Sequence, residues 1–224
     1  MTALAIIPAR EHSKGIPRKN FTKLAGASPV RRAVDCANRV DDIATAVLST
    51  DATIDRYLLF DLCTSRGIVL TARRPPELAQ DNTPMSAVVE HVLDGTYPEE
   101  DQIVVLLQPT QPLREPKHIE AAIALLKQHV SGSVVSVTKV ETVDKLLTIW
   151  RGQLEGVSGD PIERRQAGRA TYKRDGTVYA WYRRDGYLPK PWWPLIIPAS
   201  ETCSLDTMED WHEAERRLRE REDS

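Results

Sequence analysis

Short apolar runs separated by more polar stretches recur along the first 130 residues. The run Leu4-Ala5-Ile6-Ile7 is apolar at every position, as a strand buried on both faces must be, and predicts a strand over 4–8. Similar runs predict strands over 44–50, 68–70 and 102–108, with helices over about 29–40, 53–66, 84–95 and 116–130 between and after them. Strand and helix in alternation, joined by short connections, predict a mostly parallel sheet covered on both faces, an α/β fold. Ligands of such sheets sit outside the carboxyl ends of the strands. Three polar segments follow directly on apolar runs and are expected to converge there: the loop 8–20, Ser49-Thr50-Asp51 and Gln108-Pro109-Thr110.

A further strand is expected at Gly132–Thr138, after which the alternation degrades. From about Glu141 to Thr171, short apolar pieces surround Gly152, Gly156 and Gly159-Asp160-Pro161, a composition of hairpins and a protruding loop. We expect one domain over 1–224 with 141–171 as an excursion from it. Asp175-Gly176 is read as a turn opening a strand over 177–183, Pro189–Pro194 as a stiff aromatic connection, and Leu195-Ile196-Ile197 as a late strand. The last helix is expected to start near Thr207, whose hydroxyl with Glu209 or Asp210 resembles a capping arrangement, and to run to about Glu222.

Bulk properties narrow the field of partners. A net charge of −2 offers no long-range attraction for nucleic acid or an anionic membrane, so any phosphate binding must be local. Cys36, Cys63 and Cys203 are widely spaced and lack C-x-x-C pairing, which argues against a disulfide framework or structural zinc. No apolar run approaches the ~18 residues of a membrane span, and the chain enters its first strand without a signal peptide. The expectation is a soluble protein of a reducing compartment, most simply the cytoplasm.

The loop 8–20 carries the most chemistry. It holds Arg10, Lys14 and Lys19 with the hydroxyl of Ser13, Gly15 and two prolines. Backbone N–H groups that glycine lets approach closely, ringed by Lys and Arg, cradle phosphates at the end of a parallel strand. Neither the G-x-x-x-x-G-K-[ST] nor the G-x-G-x-x-G fingerprint is present, so a different nucleotide-handling class is needed.

Ile7-Pro8-Ala9-Arg10, Ser13-Lys14-Gly15-Ile16-Pro17 and Lys19-Asn20 resemble the opening signature of the acylneuraminate cytidylyltransferases. Later stretches follow in that family's order: Leu48-Ser49-Thr50-Asp51, Arg74-Pro75 with Glu77-Leu78-Ala79 and Asp81, Leu107-Gln108-Pro109-Thr110 with Pro112-Leu113-Arg114, and Leu205-Asp206-Thr207 with Asp210. The resemblance implies a Rossmann-like sheet of the nucleotide-diphospho-sugar transferase type and transfer of CMP from CTP to a sialic acid-like 2-keto sugar acid, with Mg2+. It also implies a homodimer whose excursion lends basic residues to the neighbouring site. Arg10, Lys14 and Asp206 are implied as catalytic, with Asp206 the metal ligand. Ser13, Lys19, Asn20, Arg74, Ala79 and Asp81 are implied around the nucleotide; for Asp81 turn capping serves equally well. On the acceptor side stand Gln108 and Thr110, able to bond hydroxyls, and Arg114, which either pairs with a carboxylate or stabilises its own loop. Arg165 and Gln166 match an R-Q pair of the excursion, and Lys173 and Asp175 complete that set.

Two departures stand out. Ser204 occupies the place of the first aspartate of the family's D-x-D pair, which weakens or rebuilds the metal site. Asp175 stands where the family carries Asn, turning a donor into an acceptor-only group when ionised. Three explanations stay open for Asp175: an altered acceptor, a move into the metal's reach, or a plain Asp-Gly turn. The alternatives to a sugar acid are therefore a phosphonate or unusual keto-sugar acceptor, and, from another class, a nucleotide-binding paralogue without turnover.

Overall fold

The computed structural model describes residues 2–53, 69–96, 99, 101–140, 147–150, 153–156 and 171–222. The expected helix 53–66, Cys63, Arg165, Gln166 and most of the 141–171 excursion lie outside the described residues.

Seven strands form one sheet: β1 (Ala3–Pro8), β2 (Ile43–Thr50), β3 (Val69–Arg73), β4 (Ile103–Leu106), β5 (Ser133–Val140), β8 (Thr171–Tyr182) and β9 (Trp192–Ile196), in the order β3-β2-β1-β4-β8-β5-β9. β6 (Leu147–Trp150) and β7 (Gln153–Gly156) pair antiparallel as a separate hairpin, which agrees with the hairpins read within 141–171. β8 alone runs against its neighbours; β1 to β4 are mutually parallel, and β5 and β9 run with them.

The four described α-helices are α1 (Pro29–Ala37), α2 (Met85–Thr96), α3 (Pro116–Leu126) and α4 (Met208–Glu222). The two-residue alternation of β1 sorts the core between them. Ala3, Ala5 and Ile7 pack with Val30 and Val34 of α1 and Ile119 and Ile123 of α3. Leu4 and Ile6 face the other way, against Val89 and Val92 of α2 and Trp181 of β8. Burying an isoleucine such as Ile6 or Ile7 stabilises by about 1.5–3 kcal/mol, so the central strand is firmly anchored beneath the loop it carries.

A third cluster sits at the rim. Ile16, Leu24, Leu113 and Leu205 pack with Trp211, Ala214 and Leu218 of α4. This pins loop 8–20 and the segment before α4 to one another.

Three sequence expectations are corrected. The strand expected at 177–183 begins at Thr171 and passes through Asp175-Gly176, where the β5 register shifts between Val135 and Val137. That dipeptide is thus a bulge inside a strand; Gly176 supplies the φ of +80° it needs. β9 begins at Trp192, inside the expected aromatic connection, and tolerates Pro194 because it is an edge strand. α1 and α3 stop at Ala37 and Leu126, a few residues short of the expected ends.

Candidate active site

The carboxyl ends of β1, β2 and β4 converge as expected. Ala9 N–H donates to the Ser49 carbonyl at 2.9 Å and Leu107 N–H to the Ile6 carbonyl at 2.9 Å, extending the ladders to the rim. There the chain leaves a cleft of about 400 Å3. Of the residues singled out in the sequence, Arg10, Ser13, Lys14, Lys19, Asn20, Arg74, Asp81, Gln108, Thr110 and Asp206 all line it. Ala79 lines an adjoining hollow with Arg10, Lys14 and Asp81.

Loop 8–20 is held from within. The Asn20 amide donates to the Arg10 carbonyl at 2.9 Å, and Glu11 N–H donates to the Asp51 carboxylate at 2.8 Å. Arg74 is buried and donates to the Ser49 hydroxyl and carbonyl at 3.2 and 2.9 Å, and burial pulls its guanidinium below the ordinary arginine range. Asn20 and Arg74 therefore act first as braces that shape the floor of the cleft.

The exposed cations behave differently. Arg10 and Lys14 both bridge the Asp81 carboxylate, Lys14 at 2.7 Å. Hydrogen bonds from Lys14 and then Arg10 hold Asp81 below its usual carboxylate range. One carboxylate thus occupies the position between two cations that the sequence assigns to phosphate.

Asp206 closes the cleft from the far side. Its carboxylate accepts a hydrogen bond from the Ser204 hydroxyl at 2.8 Å and lies 3.8 Å from the Lys19 ammonium. Lys19 also donates to the Leu205 carbonyl; burial draws its ammonium below the ordinary range, against the pull of Asp206. The Asp210 carboxylate accepts from Asp206 N–H, Thr207 N–H and the Thr207 hydroxyl at 3.1, 2.7 and 2.9 Å. Burial raises Asp210, but the bonds from Thr207 and Asp206 outweigh it and hold the group low, as a cap. Gly15 lies so near that a Cβ there would sit 2.6 Å from the Asp206 carbonyl oxygen. Only glycine lets loop 8–20 meet the aspartate segment.

A second hollow of about 540 Å3 shares Asp206 with the cleft and is lined by Lys173, Asp175 and Ser204. Lys139, Arg174 and Gln111 join it without having been singled out in the sequence. Their signal was weak: the facing of two cations depends on the bulge in β8. Asp175 is occupied by its own surroundings. Its carboxylate accepts from the Ser136 and Thr138 hydroxyls at 2.7 and 3.0 Å and from Thr177 N–H at 2.8 Å. Three donors thus make Asp175 an anchor of the bulge, at the edge of the hollow that the acceptor reading assigns to it.

Arg114 is likewise engaged by the backbone around it. It is buried and lines neither hollow; its guanidinium donates to the Thr177 and Gln108 carbonyls, each at 2.5 Å. Of its two readings, loop stabilisation is the one the fold adopts.

In fold the chain is similar to a CMP:2-keto-3-deoxy-manno-octonic acid synthetase solved with CTP, with a TM-score of 0.70 at 16% identity over 99% of this chain and 100% of that one. It is also similar to a 4-diphosphocytidyl-2C-methyl-D-erythritol synthase, at TM-score 0.68 and 10% identity over 97% and 98% of the two chains. The architecture is therefore the mixed α/β fold of those two chains. A family model described as cytidylyltransferase matches residues 4–215, and the chain belongs to that family. An N-acylneuraminate cytidylyltransferase of Streptococcus agalactiae serotype III is 33% identical over 94% of this chain and 52% of its own length, so the chain spans about half of that relative. A CMP-N,N'-diacetyllegionaminic acid synthase of Legionella pneumophila is 28% identical over 94% of both chains. A 3-deoxy-manno-octulosonate cytidylyltransferase of Leptothrix cholodnii is 30% identical over 81% of this chain and 60% of its own. No described helix is long and apolar enough to cross a membrane.

Proposed function

We propose that the chain transfers CMP from CTP to a small acidic acceptor of the 2-keto sugar acid class and releases pyrophosphate. The observation that carries this reading is the pair of hollows joined at Asp206, one cradled by Arg10 and Lys14, the other gathering Lys139, Lys173 and Arg174. The relatives named for sialic, legionaminic and octulosonic acid chemistry support the same class of acceptor.

In this reading the acceptor hydroxyl oxygen bonds to the α-phosphorus of CTP as the bond from that phosphorus to the bridging oxygen breaks; pyrophosphate leaves with the electron pair, and the hydroxyl proton passes to solvent. Arg10 and Lys14 trade the Asp81 carboxylate for the triphosphate and stabilise charge on the leaving group. Gln108 and Thr110 orient the acceptor, and the basic wall of the second hollow pairs with its carboxylate. Asp206 would hold Mg2+. Its exposed carboxylate, with substrate phosphates and water, is the donor set that ion favours, and Ser204 fixes one carboxylate oxygen in place of a second acid. When bound, the ion would neutralise phosphate charge.

A homodimer formed through the 141–171 excursion, bringing Arg165 and Gln166 to the neighbouring site, belongs to this reading, as does a cytoplasmic setting. A clean monomer at micromolar concentration in sedimentation would remove the shared site.

The deciding experiment measures pyrophosphate release with Mg2+ and each of the four nucleoside triphosphates against 2-keto sugar acids and phosphonates. Release with CTP and a sugar acid supports the reading. Release only with a phosphonate reassigns the acceptor, to which three cations in one hollow are also suited. Calorimetric CTP binding without release across the panel favours a paralogue that has lost turnover, and absence of CTP binding overturns the nucleotide assignment.

A further inference from the structure

Away from both hollows, a crevice of about 260 Å3 opens between α1, the loop 112–116 and the last turn of α4. It shares no lining residue with the cleft or the acceptor hollow. Arg32, Arg39, Arg114 and Arg221 line it.

Two of these guanidinium groups are incompletely satisfied. Arg114 spends Nε and Nη2 on the Thr177 and Gln108 carbonyls, and its buried Nη1 has no hydrogen-bond partner. Arg32 donates through Nη2 to the Leu24 and Ala25 carbonyls at 2.8 and 2.5 Å, and its buried Nε has no partner. Of the seven buried side-chain polar atoms without a partner among the described residues, two thus belong to arginines lining this one crevice, where donors outnumber acceptors.

The acids at the crevice do not fill that place. Asp35 pairs with Arg31 at 2.7 Å, and Glu115 with Lys117 and Arg221 at 3.0 and 2.9 Å. Glu222 reaches Arg32 only at 3.9 Å. Cys36 also lines the crevice, and burial pushes its thiol up to about 11, so it brings no negative charge.

We propose that this crevice binds a small phosphate-class oxyanion, inorganic phosphate or pyrophosphate, between the inner arginines Arg32 and Arg114 and the outer Arg39 and Arg221. Forked guanidinium donors suit tetrahedral oxyanions. The volume holds several waters' worth of ligand, at about 30 Å3 each, yet is below the roughly 300–1,000 Å3 of sites for larger small molecules. The anion would share Arg114 with the Gln108 carbonyl, and so with the floor of the catalytic rim.

The test uses the full chain carrying Arg10→Ala and Lys14→Ala, which strips the exposed cations from the nucleotide loop. Thermal unfolding is followed against inorganic phosphate and, separately, pyrophosphate, with sodium chloride at matched ionic strength as the reference. The expected result is a rise in Tm beyond chloride of roughly 5 °C at a hundredfold excess over Kd. Adding Arg39→Glu, at an exposed position, is expected to remove at least half of it, and Arg32→Gln the remainder. Should Arg32→Gln fail to fold, Arg39→Glu alone decides. Whichever of the two anions gives the larger rise is the ligand. No rise beyond chloride with either, or a rise that survives Arg39→Glu undiminished, overturns the site.

Discussion

The two sides of the rim, which the proposed mechanism gives to nucleotide and acceptor, hold their polar residues by different means. On the nucleotide side, each segment hangs from the end of a buried parallel strand, so Arg10, Ser49 and Gln108 reach the rim as soon as β1, β2 and β4 are in register. On the acceptor side, Lys173 and Asp175 belong to β8, the strand that runs against the others, and their position depends on a bulge against β5. Both arrangements need distant strands to pair, β1 with β2 and β4 on one side and β5 with β8 on the other. In the first, each polar segment simply continues its own apolar strand; in the second, it is the irregular register of β8 on β5 that brings Ser136 to Asp175. The two sides meet at Asp206, which neither sheet half carries and which α4 and the rim cluster place.

The sharpest way to break this contrast is at the charges that line the cleft. Arg10→Ala, and separately Asp206→Asn, are expected to lower CMP transfer by about 10²–10³-fold with little change in Tm, because both side chains contribute preorganised charge and neither is core. Steady-state pyrophosphate release and a melting curve check both halves. Unchanged turnover in either variant would remove that residue from the mechanism.

Gly15→Ala tests the meeting point itself. The added Cβ would fall 2.6 Å from the Asp206 carbonyl oxygen, a backbone atom, so loop and aspartate segment must part. Misplacement near 1 Å costs about 10²-fold in a positioned reaction, and we expect a loss of that order in kcat. Turnover within twofold of the parent would show that the loop can shift freely and that the close approach is incidental.

This difference also explains what the sequence reveals and what it conceals. Loop 8–20 and Gln108-Pro109-Thr110 can be placed from sequence because a buried apolar run announces each one's starting point. Family order does the same for Asp206. Asp175 is misread as a turn because Asp-Gly is a turn signal by local rules, and the pairing that makes it a bulge is written on β5, not beside it. Arg114 is ambiguous for the same reason: whether it meets a carboxylate or two carbonyls depends on Thr177, contributed by a distant strand. Lys139 and Arg174 carry no motif, and only the pairing of β5 with β8 brings them to one hollow.

Asp175→Ala sharpens the acceptor-side half of the comparison. It leaves the Ser136 and Thr138 hydroxyls and Thr177 N–H without their shared acceptor, at an expected cost of about 1–3 kcal/mol. Denaturant unfolding should show that loss with KM for CTP unchanged, since the nucleotide cleft is built elsewhere. A stable variant with a raised KM for the acceptor alone would restore Asp175 to substrate contact.

The smallest effect is expected on the nucleotide side, at the one acid among its cations. Asp81 bridges Arg10 and Lys14, which the proposed mechanism gives to the triphosphate, so CTP bound in that way must first break those pairs. All three groups are partly or largely solvent-exposed, so water and salt screen the pairs and leave them weak. Asp81→Asn should therefore tighten CTP about two- to fivefold by calorimetry. The two cations hold the carboxylate below its ordinary value near 3.8, so it stays ionised through neutral pH. The pairing is fully present above the unfolded carboxylate pKa and fades only as pH falls through the lower folded one. The gain from Asp81→Asn should accordingly be constant from about pH 5 to 8. Weaker CTP binding in Asp81→Asn would mean that the carboxylate serves the nucleotide directly, at its ribose or metal, and would make this acid part of the site it otherwise guards.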